Sequence, residues 1–414
     1  MLEIDAFRQV LGEQGWALLL DAGSVLDGVA WKERDGPLRA ASALARRRPD
    51  AVGTARAAAL ELVSSGRRLA EKLGRDEQLL AVREAVEQAS AGRVATWHAS
   101  QVPAGAKVLE IGCGCGGDSL ALAHRASNLI ATDLDPLRAA CAHMNIMALD
   151  LPNARAVPED GLALLAGEAA RADVVFADPD RRPGGRRALD PEDWLPPLSA
   201  LREIARAPTP RRVFVKAASA LDADPWLDDF DVTYVSHGGS CVESFLVSIP
   251  RDEAGRRGQV TAVQLPDNGP AATLSGARGQ ASDGLPGTHL LVPDPAAIRA
   301  HLLEELCSRY GVHLLDDRIA LATGDGALDS PWFKSFRIEH QVPLRVPDVR
   351  AALRELGARR LKVHTRGVDF TSPELMHLLR KAVKRKGAGP EVDVFATRAQ
   401  DRPTAFVTRA VQPA

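Results

Sequence analysis

The 414-residue chain is short of cysteine, of lysine and of long apolar runs. Its five cysteines, Cys113, Cys115, Cys141, Cys241 and Cys307, are odd in number and irregularly spaced, which excludes a disulfide framework and leads us to expect a reducing cytoplasm. No stretch approaches the roughly 20 consecutive apolar residues of a transmembrane helix. The segment Met1 to Ala6 has no basic region followed by an apolar run, so no signal peptide is expected. Only nine of the 52 basic residues are lysine, so arginine dominates, and the formal net charge of −2 carries no global nucleic-acid signature. What is present is ordinary globular usage, 45% hydrophobic and 26% charged, which excludes a disordered, collagenous or fibrous chain. At roughly 100–200 residues per domain, two or three domains are expected.

Four regions differ in texture: 1–98, 99–250, 251–334 and 335–414. The first is rich in Ala, Leu, Arg and Glu, with helical apolar spacing over Asp5 to Leu20 and Ala55 to Leu73. Asp21 to Gly23 and Asp35 to Pro37 are expected as turns, and Gly74 as a helix stop. The second region alternates short apolar strands with helices. Strands are expected at Lys107 to Ile111, Leu129 to Thr132, Ala154 to Val157, Asp173 to Ala177 and Arg212 to Lys216, with helices over Ser119 to Ala126 and Pro136 to Ala148. This pattern predicts an α/β fold with a parallel sheet covered on both faces. It closes with two strands, Val232 to Ser236 and Cys241 to Ile249, joined by a tight turn at His237 to Gly239, an unusual ending for a dinucleotide-binding fold. The third region reads as a strand at Val260 to Leu265, a flexible loop over Gly269 to Gly287 and a helix from Pro295 to Arg309. The fourth alternates small strands and helices and is basic.

Between the first strand and helix of the second region lies Glu110-Ile111-Gly112-Cys113-Gly114-Cys115-Gly116-Gly117-Asp118. Glycines here allow positive φ and let backbone approach a ligand closely. The string satisfies two templates. Gly112, Gly114 and Gly117 fit the dinucleotide pattern, whereas Gly112, Gly114 and Gly116 after Glu110 fit the pattern of S-adenosylmethionine sites. Asp133, at the end of the second strand, suits the ribose hydroxyls in either case, and Asp160 after the third strand suits an adenine amino group. Helix capping is the plainer role for each acid. Cys113 and Cys115 lack further ligands at zinc spacing, so no metal is expected.

The fourth strand runs into Asp178-Pro179-Asp180-Arg181-Arg182. Carboxyl ends of strands in open α/β sheets face the ligand crevice. Pro179 stiffens the backbone, so the Asp178 carboxylate and the Pro179 carbonyl form a rigid pair of acceptors suited to an exocyclic amine. Catalysis there would be positioning and electrostatics. Arg181, Arg182, Arg186 and Arg187 flank this point and suit phosphate, or else form a solvated loop paired with Asp180, Asp190, Glu192 and Asp193.

Together, the glycine loop, the Asp133 segment and Asp178-Pro179 resemble class I S-adenosylmethionine-dependent methyltransferases. The resemblance is to the trimethylguanosine-synthase-like branch and to bacterial methyltransferases with a C-terminal THUMP-like domain. It implies a Rossmann-like core with an N-terminal helical domain and a small C-terminal α+β domain. By position, it implies cofactor contacts at Glu110, Gly112, Gly114, Gly116, Asp118, Asp133 and Asp160, and a catalytic pair at Asp178 and Pro179. Amine methyltransferases of this kind read Asp/Asn-Pro-Pro and then an aromatic ring. Asp180 and Arg181 stand in those places here, so Trp194 or the Arg181 guanidinium would have to stack on a base. Packing is the plainer role for Trp194.

Residues Arg350 to Lys386 hold eleven basic side chains against three acidic ones, a local balance of 11 − 3 = +8. Such charge is an electrostatic footprint for a polyanion. The sequence over Leu361 to Phe370, with Pro373 to Leu375 and Leu378 to Lys381, resembles the THUMP-like domain over residues 335 to 410. THUMP domains proper bind RNA, which nominates Arg366, Lys381, Lys384 and Arg385 as RNA contacts. The leading expectation is an S-adenosylmethionine-dependent methyltransferase acting on an exocyclic amine of a base in RNA. Three alternatives stay open. One is an RNA-binding protein with a degenerate methyltransferase core, another is an NAD-type oxidoreductase, and the third is methylation of a protein or small molecule.

Overall fold

A computed structural model of the chain describes residues 4–12, 15–182, 185–186, 188–209, 211–253, 255–383 and 389–411. Two compact units form: Met1–Ala217 with Trp226–Asp231 and Phe245–Gly258, and Ala218–Pro225 with Val232–Ser244 and Gln259–Ala414.

The first unit begins with helices α1 (Ile4–Leu11), α2 (Trp16–Gly28), α3 (Gly36–Arg47), α4 (Gly53–Leu73), α5 (Arg83–Gln88) and α6 (Gly92–Gln101). The single helix expected over Asp5 to Leu20 is two, and the expected turn at Asp21 to Gly23 lies inside α2. Apolar neighbours there outweigh local turn preference: Leu18, Leu19, Ala22, Val25 and Leu26 are all buried. Helix α4 buries Ala55, Ala58, Ala59, Leu62, Val63 and Leu69 and stops at Gly74 in the left-handed region, at φ 66°. Gly66 on α4 takes the Leu79 carbonyl so closely that a Cβ would lie 1.7 Å from it. The buried run Leu79–Val82 therefore packs directly on the helix backbone.

The core follows as β1 (Lys107–Ile111), α7 (Ser119–Ala123), β2 (Asn128–Thr132), α8 (Pro136–Ala148), β3 (Ala154–Val157), α9 (Gly161–Leu164), β4 (Val174–Ala177), α10 (Leu198–Arg206), β5 (Arg212–Ala217), β6 (Phe230–His237), β7 (Ser240–Ser248), β8 (Val260–Leu265) and β9 (Ala272–Leu274). Strand order is β3-β2-β1-β4-β5-β7-β6-β8-β9. Pairings among β1 to β5 are parallel, as the alternation of strands and helices predicts. The two closing strands form at the expected place, joined through Gly238 and Gly239 at φ 58° and 78°. Ile111, Ala177 and Val215 stand in one register row. Gly112, Asp178 and Lys216, the residues that follow this row, therefore lie next to one another at the carboxyl edge of the sheet.

The second unit continues with β10 (His289–Pro293), α11 (Pro295–Arg299), α12 (Leu303–Tyr310), β11 (His313–Asp316), β12 (Ile319–Gly324), β13 (Phe333–Pro343), α13 (Val346–Glu355), β14 (Arg360–Thr365), α14 (Ser372–Leu379), β15 (Glu391–Ala399) and β16 (Arg402–Ala410). The expected helix from Pro295 to Arg309 breaks at His301, which sits at φ 57°. The expected loop over Gly269 to Gly287 is partly paired, through β9 and bridges Gly279–Leu302 and Asp283–Leu314. A seven-stranded sheet of order β11-β12-β10-β13-β16-β15-β14 buries Val349, Leu353, Leu375, Leu379, Val392, Val394 and Val407 beneath α13 and α14. Thr371 and Glu374 form a capping box at the start of α14.

Candidate functional site

The glycine loop turns sharply at the carboxyl end of β1. Gly112 has φ 82°, and a Cβ there would lie 2.3 Å from the Asp178 carbonyl oxygen, so only glycine lets the two loops approach. Gly114, at φ 55°, has no atom within 4 Å of where its Cβ would be, which leaves its face open. Gly116 has φ 90°. Asp133 braces this loop. One oxygen accepts from the Gly114 N–H at 2.9 Å and the other from the Asp135 N–H at 2.9 Å. Burial raises its carboxyl above the ordinary value against those two bonds. A carboxylate offers about four acceptor positions, so hydroxyls can still be received. Leu134 beside it is 58% exposed, an apolar surface that the sequence reading missed.

Other acids lie elsewhere than expected. Glu110, nominated as a cofactor contact, is buried beneath the loop and accepts from the Ser119 hydroxyl at 2.6 Å. Burial pushes its carboxyl up to about 8, so it is protonated at neutral pH. Asp118, also nominated, is buried in a polar network rather than at the open side. It meets His98 Nδ1 at 2.8 Å, accepts from Lys216 Nζ at 2.8 Å and from Ser90 Oγ at 3.2 Å. Burial pushes Asp118 up, but Lys216 and His98 outweigh it and hold the carboxyl far below the usual range. His98 is fully buried, stacked on Phe245 at 4.9 Å and tilted against Phe176 at 5.7 Å. Asp160 caps α9 through the Leu162 N–H at 2.9 Å and is exposed. Asp135 caps α8.

Asp178 leaves β4 with its N–H donated to the Ile111 carbonyl at 2.8 Å and its Oδ2 accepting from Lys216 Nζ at 2.5 Å. Pro179 is buried behind it. Asp180 then pairs with Leu195 as an isolated antiparallel bridge. Trp194 is packed in the interior. It is 3% exposed and donates its indole N–H to the Ala188 carbonyl at 3.3 Å, which corrects the stacking role in favour of packing. Leu195, its neighbour, is 50% exposed. Arg182 and Arg186 are exposed and Arg181 half-buried, and none of the three forms an ion pair among the described residues. Arg187 lies outside the described residues.

In the second unit, Lys381 is exposed, whereas Arg366 is half-buried and donates to the Ala320 carbonyl, which removes it from the expected RNA-facing set. Lys384 and Arg385 lie outside the described residues. Part of the local positive balance is met by Glu391, which pairs with Arg360 and Lys362 across β14 and β15. Among the described residues, no group of three or more His, Cys, Asp or Glu could hold a metal ion, and no helix is long and apolar enough to cross a membrane.

Comparison with known proteins agrees with this picture. Residues 333–410 match the family model described as "THUMP domain-like". Two Mycobacterium tuberculosis proteins, from strains CDC 1551 and H37Rv, are each 29% identical over 337 residues. The match covers 78% of this chain and 88% of each relative, and both are described as uncharacterised S-adenosylmethionine-dependent methyltransferases. A solved Porphyromonas gingivalis W83 protein, provisionally described as a methyltransferase, shares the fold with a TM-score of 0.69 at 20% identity, over 88% of this chain and 92% of that one. The sheet order and the glycine loop define a class I methyltransferase fold. The chain thus combines a class I methyltransferase fold with a C-terminal THUMP-like domain, and it is similar to S-adenosylmethionine-dependent methyltransferases.

Proposed function

We propose that this protein transfers the methyl group of S-adenosylmethionine to an exocyclic amine of a base in RNA. The observation that carries the reading is the row at the carboxyl edge of the sheet, where Gly112 and Asp178 follow paired residues of β1 and β4. The residues fit the cofactor: an open cradle at Gly114, a braced carboxylate at Asp133 and an exposed apolar surface at Leu134. Asp133 would receive the ribose hydroxyls, Leu134 would lie along the adenine, and Asp160 would meet its amino group. When bound, S-adenosylmethionine supplies an already activated methyl, so no nucleophilic side chain is required.

What the chain adds is placement. The Asp178 carboxylate and the Pro179 carbonyl accept the two N–H bonds of the amine, which directs the nitrogen lone pair toward the cofactor site. With Trp194 buried, Leu195 and the Arg181 guanidinium supply the surfaces against which the base lies. The exposed Arg182 and Arg186, and the THUMP-like domain with exposed Arg380 and Lys381, support a polyanionic acceptor. Two measurements test the proposal. Calorimetry should give binding of S-adenosylhomocysteine and none of NAD. Mass spectrometry of nucleosides should reveal one methylated base in RNA that disappears when the gene is deleted. An unchanged nucleoside profile would reject RNA as the acceptor.

A further inference from the structure

We propose that Lys216 is the positioning residue of this site: it pins the Asp178 carboxylate and ties it, through Asp118, to the end of the glycine loop. The proposal rests on the reading of Asp178 as the group that holds the methyl acceptor.

Register places the three partners. Ile111, Ala177 and Val215 are level, so Asp178 and Lys216 are each the next residue along adjacent strands. A lysine one residue from the end of the apolar strand β5 cannot reach bulk water, since its side chain is 4% exposed. A buried ammonium must be paired. Lys216 is paired to Asp118 Oδ2 at 2.8 Å and to Asp178 Oδ2 at 2.5 Å. Neutralising the buried Asp118 alone would require one of those bonds. The second bond is to the carboxylate that opens outward: the Asp178 side chain is 26% exposed, against 7% for Asp118.

Two consequences follow. With Oδ2 held by the ammonium, the carboxylate plane of Asp178 is fixed and Oδ1 is left to receive an N–H. A lone aspartate after a strand would sample several rotamers, and loss of that freedom before the acceptor arrives is preorganisation. Asp118 in turn is anchored by His98 and Ser90, from α6 and the segment before it. The acceptor-holding group and the cofactor loop are therefore set by one connected row of charges.

The test compares Lys216→Met with Lys216→Arg, whose guanidinium can still donate to both acids. S-Adenosylhomocysteine binding is measured by calorimetry, and tritiated methyl transfer from S-adenosylmethionine is measured on total RNA from a strain lacking the gene. Crystal structures of both variants are solved with S-adenosylhomocysteine. For Lys216→Met we expect cofactor affinity within about threefold of wild type, kcat lower by about 100-fold and the RNA KM nearly unchanged, because a misplacement of about 1 Å has that effect. Its Asp178 carboxylate should rotate away, and Lys216→Arg should restore both position and most of the rate. An Asp178 carboxylate that stays in place in Lys216→Met, or equal loss of rate and cofactor affinity in both variants, would overturn the proposal. Should Lys216→Met not fold, Lys216→Gln is read by the same criteria. A wild-type protein that binds S-adenosylhomocysteine yet methylates no RNA would reject the RNA acceptor, and the crystallographic position of Asp178 alone would then decide the role of Lys216.

Discussion

Asp133 and Glu110 show how two acids of one motif region part company. Asp133 faces the open loop while bonded to backbone, so Asp133→Ala should weaken S-adenosylhomocysteine binding by about 1–3 kcal/mol in calorimetry. Unchanged affinity would remove it from the cofactor site. Glu110 is sealed and protonated, with its carboxyl raised from an ordinary 4.5 to about 8. In the unfolded chain it ionises near 4.5, whereas the folded chain keeps the proton until about 8. The folded state therefore binds more protons in that window, and stability falls as pH rises through it. Glu110→Gln, whose amide oxygen can still accept from Ser119, should abolish that part of the slope in thermal melts between about pH 5 and pH 8. A melting curve with the wild-type slope would show that Glu110 is not the group responsible.

At the level of elements, Asn145 on α8 does the joining. Its side chain accepts from the Leu80 N–H at 2.8 Å and donates to the Leu80 and Cys115 carbonyls at 2.9 Å each. Asn145→Ala would strand three buried backbone groups. Denaturant unfolding should record a loss of about 3 kcal/mol, with weaker S-adenosylhomocysteine binding because Cys115 belongs to the glycine loop. Much of this architecture was legible in the sequence. The apolar runs of β1 to β5, the glycine loop and the stop at Gly74 all carry local signals of period or conformation. The break at His301 carries none, because an uninterrupted helical pattern crosses it. For Trp194 and Arg366 residue type left the choice open, because exposure decides whether a ring stacks or a guanidinium reaches phosphate. Lys216 was overlooked for a third reason: its partner Asp118 is 98 residues away, and no spacing rule joins them. A lone charged residue closing an apolar strand was the available clue.

On the scale of the whole molecule, a net charge of −2 gives no general attraction for a polyanion, so the proposed RNA contact falls to local patches. Exposed Arg380 and Lys381 are two of the described candidates in the second unit. Replacing both by Gln should weaken RNA binding and reduce the slope of log affinity against log salt by about 0.7 per lost phosphate contact for single strands. An unchanged slope would exclude this patch as an RNA surface.

The imidazole of His98 has a practical bearing on how the enzyme can be dissected. A fragment cut to begin after that residue would keep the whole glycine loop and both Asp178 and Pro179. It would nevertheless leave Asp118 without two of its three described partners, His98 and Ser90, and open the aromatic box of Phe176 and Phe245 to water. The leading helices are in that sense a lining of the active half, and biochemical work on shortened versions should retain them.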